Sequence, residues 1–292
     1  MPNANIEMHQ PFTMTSNVRK AAVAGTWYPG TAVKLAAAVD AHIAAAGADA
    51  PVSGELTALI APHAGLMYSG PVAAHAYRLL RGRSYDVVVL VGPSHFSGFD
   101  GVALYPSGSF DTPFGPVAID TECARAIASA PVVTEQTAPH TREHSLEMQL
   151  PFVARVAPDV PIVPLLVGYQ TAATAAALGD VLATSLRGRK ALLVASTDLS
   201  HYHDAATAAA LDAVVIDCVR RFDADALQAA LSATPAHACG GGPMVAVMRA
   251  AQRLGARDAV ILNYADSGDV SGDKSSVVGY LAAALGNFRT TP

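Results

Sequence analysis

Thr57-Ala58-Leu59-Ile60-Ala61-Pro62-His63-Ala64-Gly65 decides the fold. Leu59, Ile60 and Ala61 form a short apolar run of strand type, Pro62 stops the ladder and Gly65 permits a tight turn. The stretch therefore delivers His63 to the carboxyl end of a buried strand. The same grammar returns in Val87-Val88-Val89-Leu90-Val91-Gly92-Pro93-Ser94-His95. Two strands that each end in a histidine point to one edge of an open α/β sheet, the edge at which such sheets bind ligands.

Outward from these two strands, the chain alternates strand and helix. Thr31 is the expected cap of an Ala-rich helix that stops at Gly47, and Gly70-Pro71 is expected to open a second helix carrying His75. Phe96 to Pro116 is read as a long loop and a candidate site wall. Asp120 caps a short helix. In Pro139–Phe152 the polar groups are dense, and helical spacing would place Glu143 and Glu147 on one face with His144 beside them. Further strands are expected at Pro161–Gly168, within Lys190–His201, at Ala259–Tyr264 and at Ser276–Tyr280. Helices are expected near 204–221 and 224–232, and from Gly240 to about Leu254. The reading is an α/β fold, layered αβα, with a largely parallel or mixed central sheet. Residues 1–17 read as a polar tail and 18–292 as a single domain.

Of the 292 residues, 51% are hydrophobic and 15% charged, enough apolar material for a large core. A net charge of −5 without a Lys/Arg cluster argues against nucleic acid or an anionic membrane as partner and for a small-molecule or peptide ligand. No apolar run reaches the roughly 18 residues of a membrane span, and no signal peptide is evident, so a cytoplasmic location is expected. Three cysteines, Cys123, Cys218 and Cys239, are too few and too far apart for a disulfide framework.

His63, His95, Asp198 and His201 all follow predicted strands, and Cys239 precedes a predicted helix through Gly240-Gly241-Gly242-Pro243. Taken singly, a strand-end histidine fixes a loop; the convergence of several favours a pocket. The glycines at a helix start would aim N–H groups at the Cys239 sulfur and favour its thiolate. Two neutral imidazoles and one thiolate make a three-ligand site suited to Fe(II), Cu or Zn. Asp198 and His201 are assigned to proton handling or substrate binding, and Glu143 and His144 to a supporting or substrate-facing layer, with the Glu143–Gln149 segment expected to border the pocket. His203 is a weaker candidate. Cys123, Cys218, His42 and His75 read as core or helix-surface residues. Two other readings stay open: a module that binds metal or peptide without turnover, and a hydrolase in which Cys239 is the nucleophile and His201 its base.

At Ala61–Gly65, Gly92–His95, Glu143–Pro151, Ser196–His201 and Cys239-Gly240, the chain resembles the Memo family (mediator of ErbB-driven cell motility) and, in prokaryotic form, AmmeMemoRadiSam system protein B. Gly25–Pro29 and Leu262–Tyr264 extend the resemblance over roughly residues 18–285. It implies a fold similar to the class III extradiol, non-heme iron dioxygenases, with Cys239 standing where those enzymes place a carboxylate ligand. It further implies His63, His95 and Cys239 as ligands of iron or copper, redox activity, and His201 at the position of the dioxygenase base. The system's name implies a radical-SAM partner and a third protein.

Overall fold

The computed structural model describes residues 17–47 and 52–289. Strands β1 (Val18–Arg19), β2 (Ser53–Ala61), β3 (Val87–Pro93), β4 (Val102–Leu104), β5 (Ser109–Phe110), β6 (Val117–Ala118), β7 (Val133–Glu135), β8 (Ile162–Val167), β9 (Ala191–Ser196), β10 (His201–His203), β11 (Asp258–Asp266) and β12 (Val277–Arg289) alternate with helices. The helices are α1 (Ala32–Ala45), α2 (Leu66–Tyr77), α3 (Thr121–Ala128), α4 (Leu150–Val156), α5 (Ala172–Ser185), α6 (Ala205–Arg220), α7 (Ala224–Ala233), α8 (Gly241–Arg253) and α9 (Gly268–Ser271).

Among the described residues, nine strands form one mixed sheet. Its centre, β2-β9-β3-β8, is parallel, and the paired stretches of these strands, in β2 only from Ala58 to Ala61, are apolar runs covered on both faces. β12 adds antiparallel to β2, β11 antiparallel to β12, and β4 antiparallel to β8. Helices α1, α2 and α4 pack together on one side, and α5, α6, α7 and α8 form the other layer. The αβα layering with a mixed sheet is the architecture expected from the strand and helix alternation.

α8 is buried from Gly241 to Met248, its wholly apolar first part, and turns polar only from Arg249 on. α5 approaches it closely at Gly179, where an added Cβ would stand 3.1 Å from Ala246 O. Both Asp120 and Asp223 cap their helices, accepting from Cys123 N and Ala226 N at 2.8 Å.

Several expectations are corrected. The second helix begins at Leu66, not at Pro71, which lies inside it. Leu66 N finds an acceptor in Trp27 O at 2.8 Å, so the first turn is satisfied four residues earlier than the glycine-proline signal suggested. The stretch from Phe96 to Pro116 is not one loop, since Val102–Leu104 is a wholly buried strand of the main sheet and Ser109–Phe110 joins a small second sheet. Residues 139–152 do not form one helix. Two separate turns of 3₁₀ helix, at Ala138–His140 and Glu147–Gln149, precede α4, so Glu143 and Glu147 leave in different directions. The expected tail falls outside the described residues except for Asn17, whose carbonyl accepts from Ser109 N at 3.0 Å. No helix of the described residues is long and apolar enough to cross a membrane.

Candidate metal centre

β2, β9 and β3 are neighbours and parallel, so their carboxyl ends lie side by side. His63 follows the first, Asp198 the second and His95 the third, and topology alone brings them together. One cavity of about 420 Å³ is lined by all three, with Cys239, His144 and His201. Trp27 and Tyr202 complete its mouth. His203 shares β10 with His201 but does not line the cavity.

Candidate ligand atoms of His63, His95 and Cys239 all lie within 4.8 Å of one another. Cys239 Sγ is 3.3 Å from His63 Nε2. The hydrogen-bond network fixes which imidazole nitrogen is free. Ser196 Oγ donates to Ser145 O at 2.6 Å, so it accepts from His63 Nδ1 at 2.9 Å, and the Nε2 lone pair is left toward the sulfur. Gln149 Nε2 donates to the same hydroxyl at 2.8 Å and to Pro62 O at 3.0 Å; its own Oε1 accepts from Tyr77 OH at 2.8 Å.

His95 is held in the same way by Glu143. The carboxylate accepts from His95 Nδ1 at 2.9 Å and His95 N at 2.5 Å, and from His144 N and Ser145 N at 2.9 Å. Burial alone would raise the Glu143 pKa, but these donors and the adjacent imidazole bring it down to about 2. With its oxygens engaged, Glu143 orients His95 and leaves Nε2 free. Glu143, His95 and His144 also stand close enough to one another to form a ligand group, but the saturated carboxylate favours the orienting role. Glu143→Gln is expected to weaken metal binding by about 10- to 100-fold. Competition with a chromophoric chelator measures it, and an unchanged affinity would remove Glu143 from the site.

His144 stacks on His95 at 4.6 Å and meets Trp27 at 4.4 Å. Burial lowers its pKa to about 4, so it is neutral near pH 7. His63 is 2% exposed, and burial with the neighbouring histidines likewise holds it neutral. Burial raises the Asp198 carboxyl to about 7; Oδ1 accepts from His63 N at 2.8 Å. His201 Nδ1 is bonded to Leu199 O at 2.8 Å.

Cys239 departs from expectation in one respect. The N–H that reaches its sulfur belongs to Asp198, at 3.3 Å, whereas Gly240 N turns away to Thr197 Oγ1 at 2.9 Å. Burial and the Asp198 carboxyl raise the metal-free thiol's pKa instead of lowering it. Its imidazole neighbour at hydrogen-bond range is His63, not His201, which disfavours the hydrolase reading. Cys123 and Cys218 are buried, as expected.

Ser196, Tyr77, Trp27 and Tyr202 were given no role from the sequence, whereas Gln149 closes the Glu143–Gln149 segment expected to border the pocket and supports His63 through Ser196. Ser196 carried a usable signal, since a hydroxyl that closes a fully apolar strand needs a partner. The others reach the site only through tertiary contacts.

A layered α/β protein with two imidazoles and a thiol gathered at the carboxyl edge of a parallel core is the class that fold and site define. The chain belongs to the Memo-like protein family, which matches residues 19–284. It is 39% identical over 273 residues to the MEMO1 family protein MTH_45 of Methanothermobacter thermautotrophicus, covering 90% of this chain and 98% of that one. A MEMO1 family protein of Nitrosopumilus maritimus is 34% identical over 268 residues, covering 90% and 98%. The fold is similar to the crystal structure of uncharacterized protein JW3007 from Escherichia coli K12, with TM-score 0.56 and 18% identity over 80% of this chain and all of that one.

Proposed function

We propose that the protein is a metal-dependent oxidoreductase in which His63, His95 and Cys239 hold one Fe(II) or Cu ion and the cavity admits a small substrate or O₂. One observation carries the reading: both Nδ1 atoms are tied to acceptors, which leaves Nε2 as the free nitrogen of each imidazole, and the two histidines and the sulfur offer ligand atoms within 4.8 Å of one another. This nitrogen and sulfur donor set fits Fe(II), Cu or Zn and does not fit Mg or Ca. A bound Fe or Cu would supply one-electron chemistry.

The chain's own groups supply the rest. His63 and His95 stay oriented through Ser196 and Glu143. Asp198, with its pKa near 7, exchanges a proton near neutral pH, and neutral His201 offers Nε2 as a base. Trp27 and Tyr202 restrict the mouth.

Elemental analysis of untagged protein, then anaerobic Fe(II) and Cu(I) titration and an O₂-uptake screen, tests the proposal. One metal per chain with turnover is expected. His201→Ala should retain metal within about threefold while losing turnover. Absence of stoichiometric metal in any form would end the reading. Stoichiometric metal without turnover would favour the second reading, a binding module. That reading draws support from the exposed aromatics at the mouth, with Trp27 39% and Tyr202 77% accessible.

A further inference from the structure

Helix α6 buries Ala208, Asp212, Val215, Cys218 and Val219, so a carboxylate stands in the middle of its inward stripe. Asp212 is fully buried, and no Lys or Arg among the described residues forms an ion pair with it. A buried, uncompensated carboxylate is unfavourable for folding, and packing alone gives no reason for it.

Its partners point to the site. Oδ1 accepts from Ser200 N at 2.9 Å, and Oδ2 accepts from Tyr264 OH at 2.8 Å. Ser200 lies between Leu199 and His201. The same turn is clamped from β12, where Leu199 N donates to Gly279 O at 2.8 Å and Gly279 N to Ser200 O at 2.9 Å. Gly279 is required here, because a side chain would collide with Oδ2 of Asp212. Leu199 O, fixed by this clamp, is the acceptor for His201 Nδ1.

We propose that Asp212 is the positioning residue of His201: held by Tyr264, it fixes the Leu199–His201 turn so that Nδ1 stays bonded to Leu199 O and Nε2 is the nitrogen left for the cavity. This rests on the proton-handling role proposed for His201. It also gives Tyr264, part of the Leu262-Asn263-Tyr264 stretch, a function that the metal centre alone did not supply. Several groups act on the charge of His201. Asp212 favours the imidazolium, as does Leu199 O; burial and His95 oppose it, and His63, Asp198 and Cys239 share its cavity.

The test is NMR of ring-¹⁵N-histidine full-length protein, metal-free and Zn(II)-loaded. In the parent protein His201 should be the Nδ1–H tautomer with a slowly exchanging ring proton. Asp212→Asn removes the charge and one acceptor, and is expected to raise the His201 acid dissociation constant by about threefold or more. The same variant should speed exchange of the His201 ring proton by about fivefold or more, with the His63 ring proton unmoved. Tyr264→Phe should speed the exchange in the same direction. An unchanged His201 in folded Asp212→Asn, or equal movement of His63 and His201, would overturn the proposal. Should Asp212→Asn not fold, Tyr264→Phe decides alone, and an unchanged His201 ring proton overturns it. Metal titration is read separately, so failure of the metal centre and failure of this positioning role are distinguishable.

Discussion

Replacing Cys239 with Ser is expected to abolish the sulfur-to-metal charge-transfer absorption of the Co(II)- or Cu(II)-loaded protein. Metal affinity should fall by more than about a hundredfold, beyond the loss typical of a supporting group. The sulfur is within 3.3 Å of His63 Nε2, and no other cysteine lies near either imidazole, so Cys123→Ser and Cys218→Ser should leave the spectrum intact. The pH dependence has a definite sign. Burial and Asp198 keep the metal-free thiol protonated at neutral pH, so binding expels its proton. Between about pH 7 and 8.5, where an ordinary imidazole is already neutral, affinity should rise by about tenfold per pH unit. In Cys239→Ser that slope should flatten. A variant with the parent's spectrum and slope would show that sulfur is not a ligand.

The second large effect concerns stability. Glu147 is fully buried and pairs with buried Arg19. It also accepts from Ala22 N at 2.8 Å, Val23 N at 3.0 Å and Tyr28 OH at 2.7 Å. Glu147→Ala strands three donors, Ala22 N, Val23 N and Tyr28 OH, and the buried Arg19 guanidinium. A loss of about 3 to 5 kcal/mol in urea unfolding is expected, because an orphaned buried charge is far less favourable than the pair was. Trp27, the single tryptophan, sits in the turn that these bonds hold, so its emission should shift to the red in the folded variant. A loss below about 1 kcal/mol would mean that the pair contributes little beyond what a surface salt bridge does.

Both results bear on what a sequence can disclose. The strand-end histidines were legible because a buried parallel strand is a continuous apolar run, and its end is marked by Pro62 or Pro93. Their convergence followed from parallel topology without any knowledge of side-chain contacts. Glu143 and Glu147 were legible as unusual but not as to direction. Spacing by four suggests one helical face, whereas the turns at Ala138–His140 and Glu147–Gln149 send one carboxylate to His95 and the other to Arg19, more than a hundred positions back along the chain. Arg19 itself gave no signal. The environment of Cys239 was misjudged for a related reason, since the glycine-rich helix start was visible locally while the Asp198 N–H that reaches the sulfur comes from another strand end. Asp212 was hidden in an otherwise ordinary helix, because its partners, Ser200 and Tyr264, lie on separate elements.

β12 is the last strand of the described residues but does not lie at the margin of the sheet. It inserts between β11 and β2, so that Ala283 pairs with Ile60 and Arg289 with Ser53. While the chain is being synthesised, the first strand of the parallel core therefore keeps one edge open until Val277–Arg289 has emerged. An apolar edge left unpaired for that long is a hazard for association with other nascent chains. It also dates the assembly of the centre. His63 and His95 exist early, but the strand that clamps the His201 turn and flanks β2 follows Cys239 in the chain, so the cavity is framed only once β12 has paired.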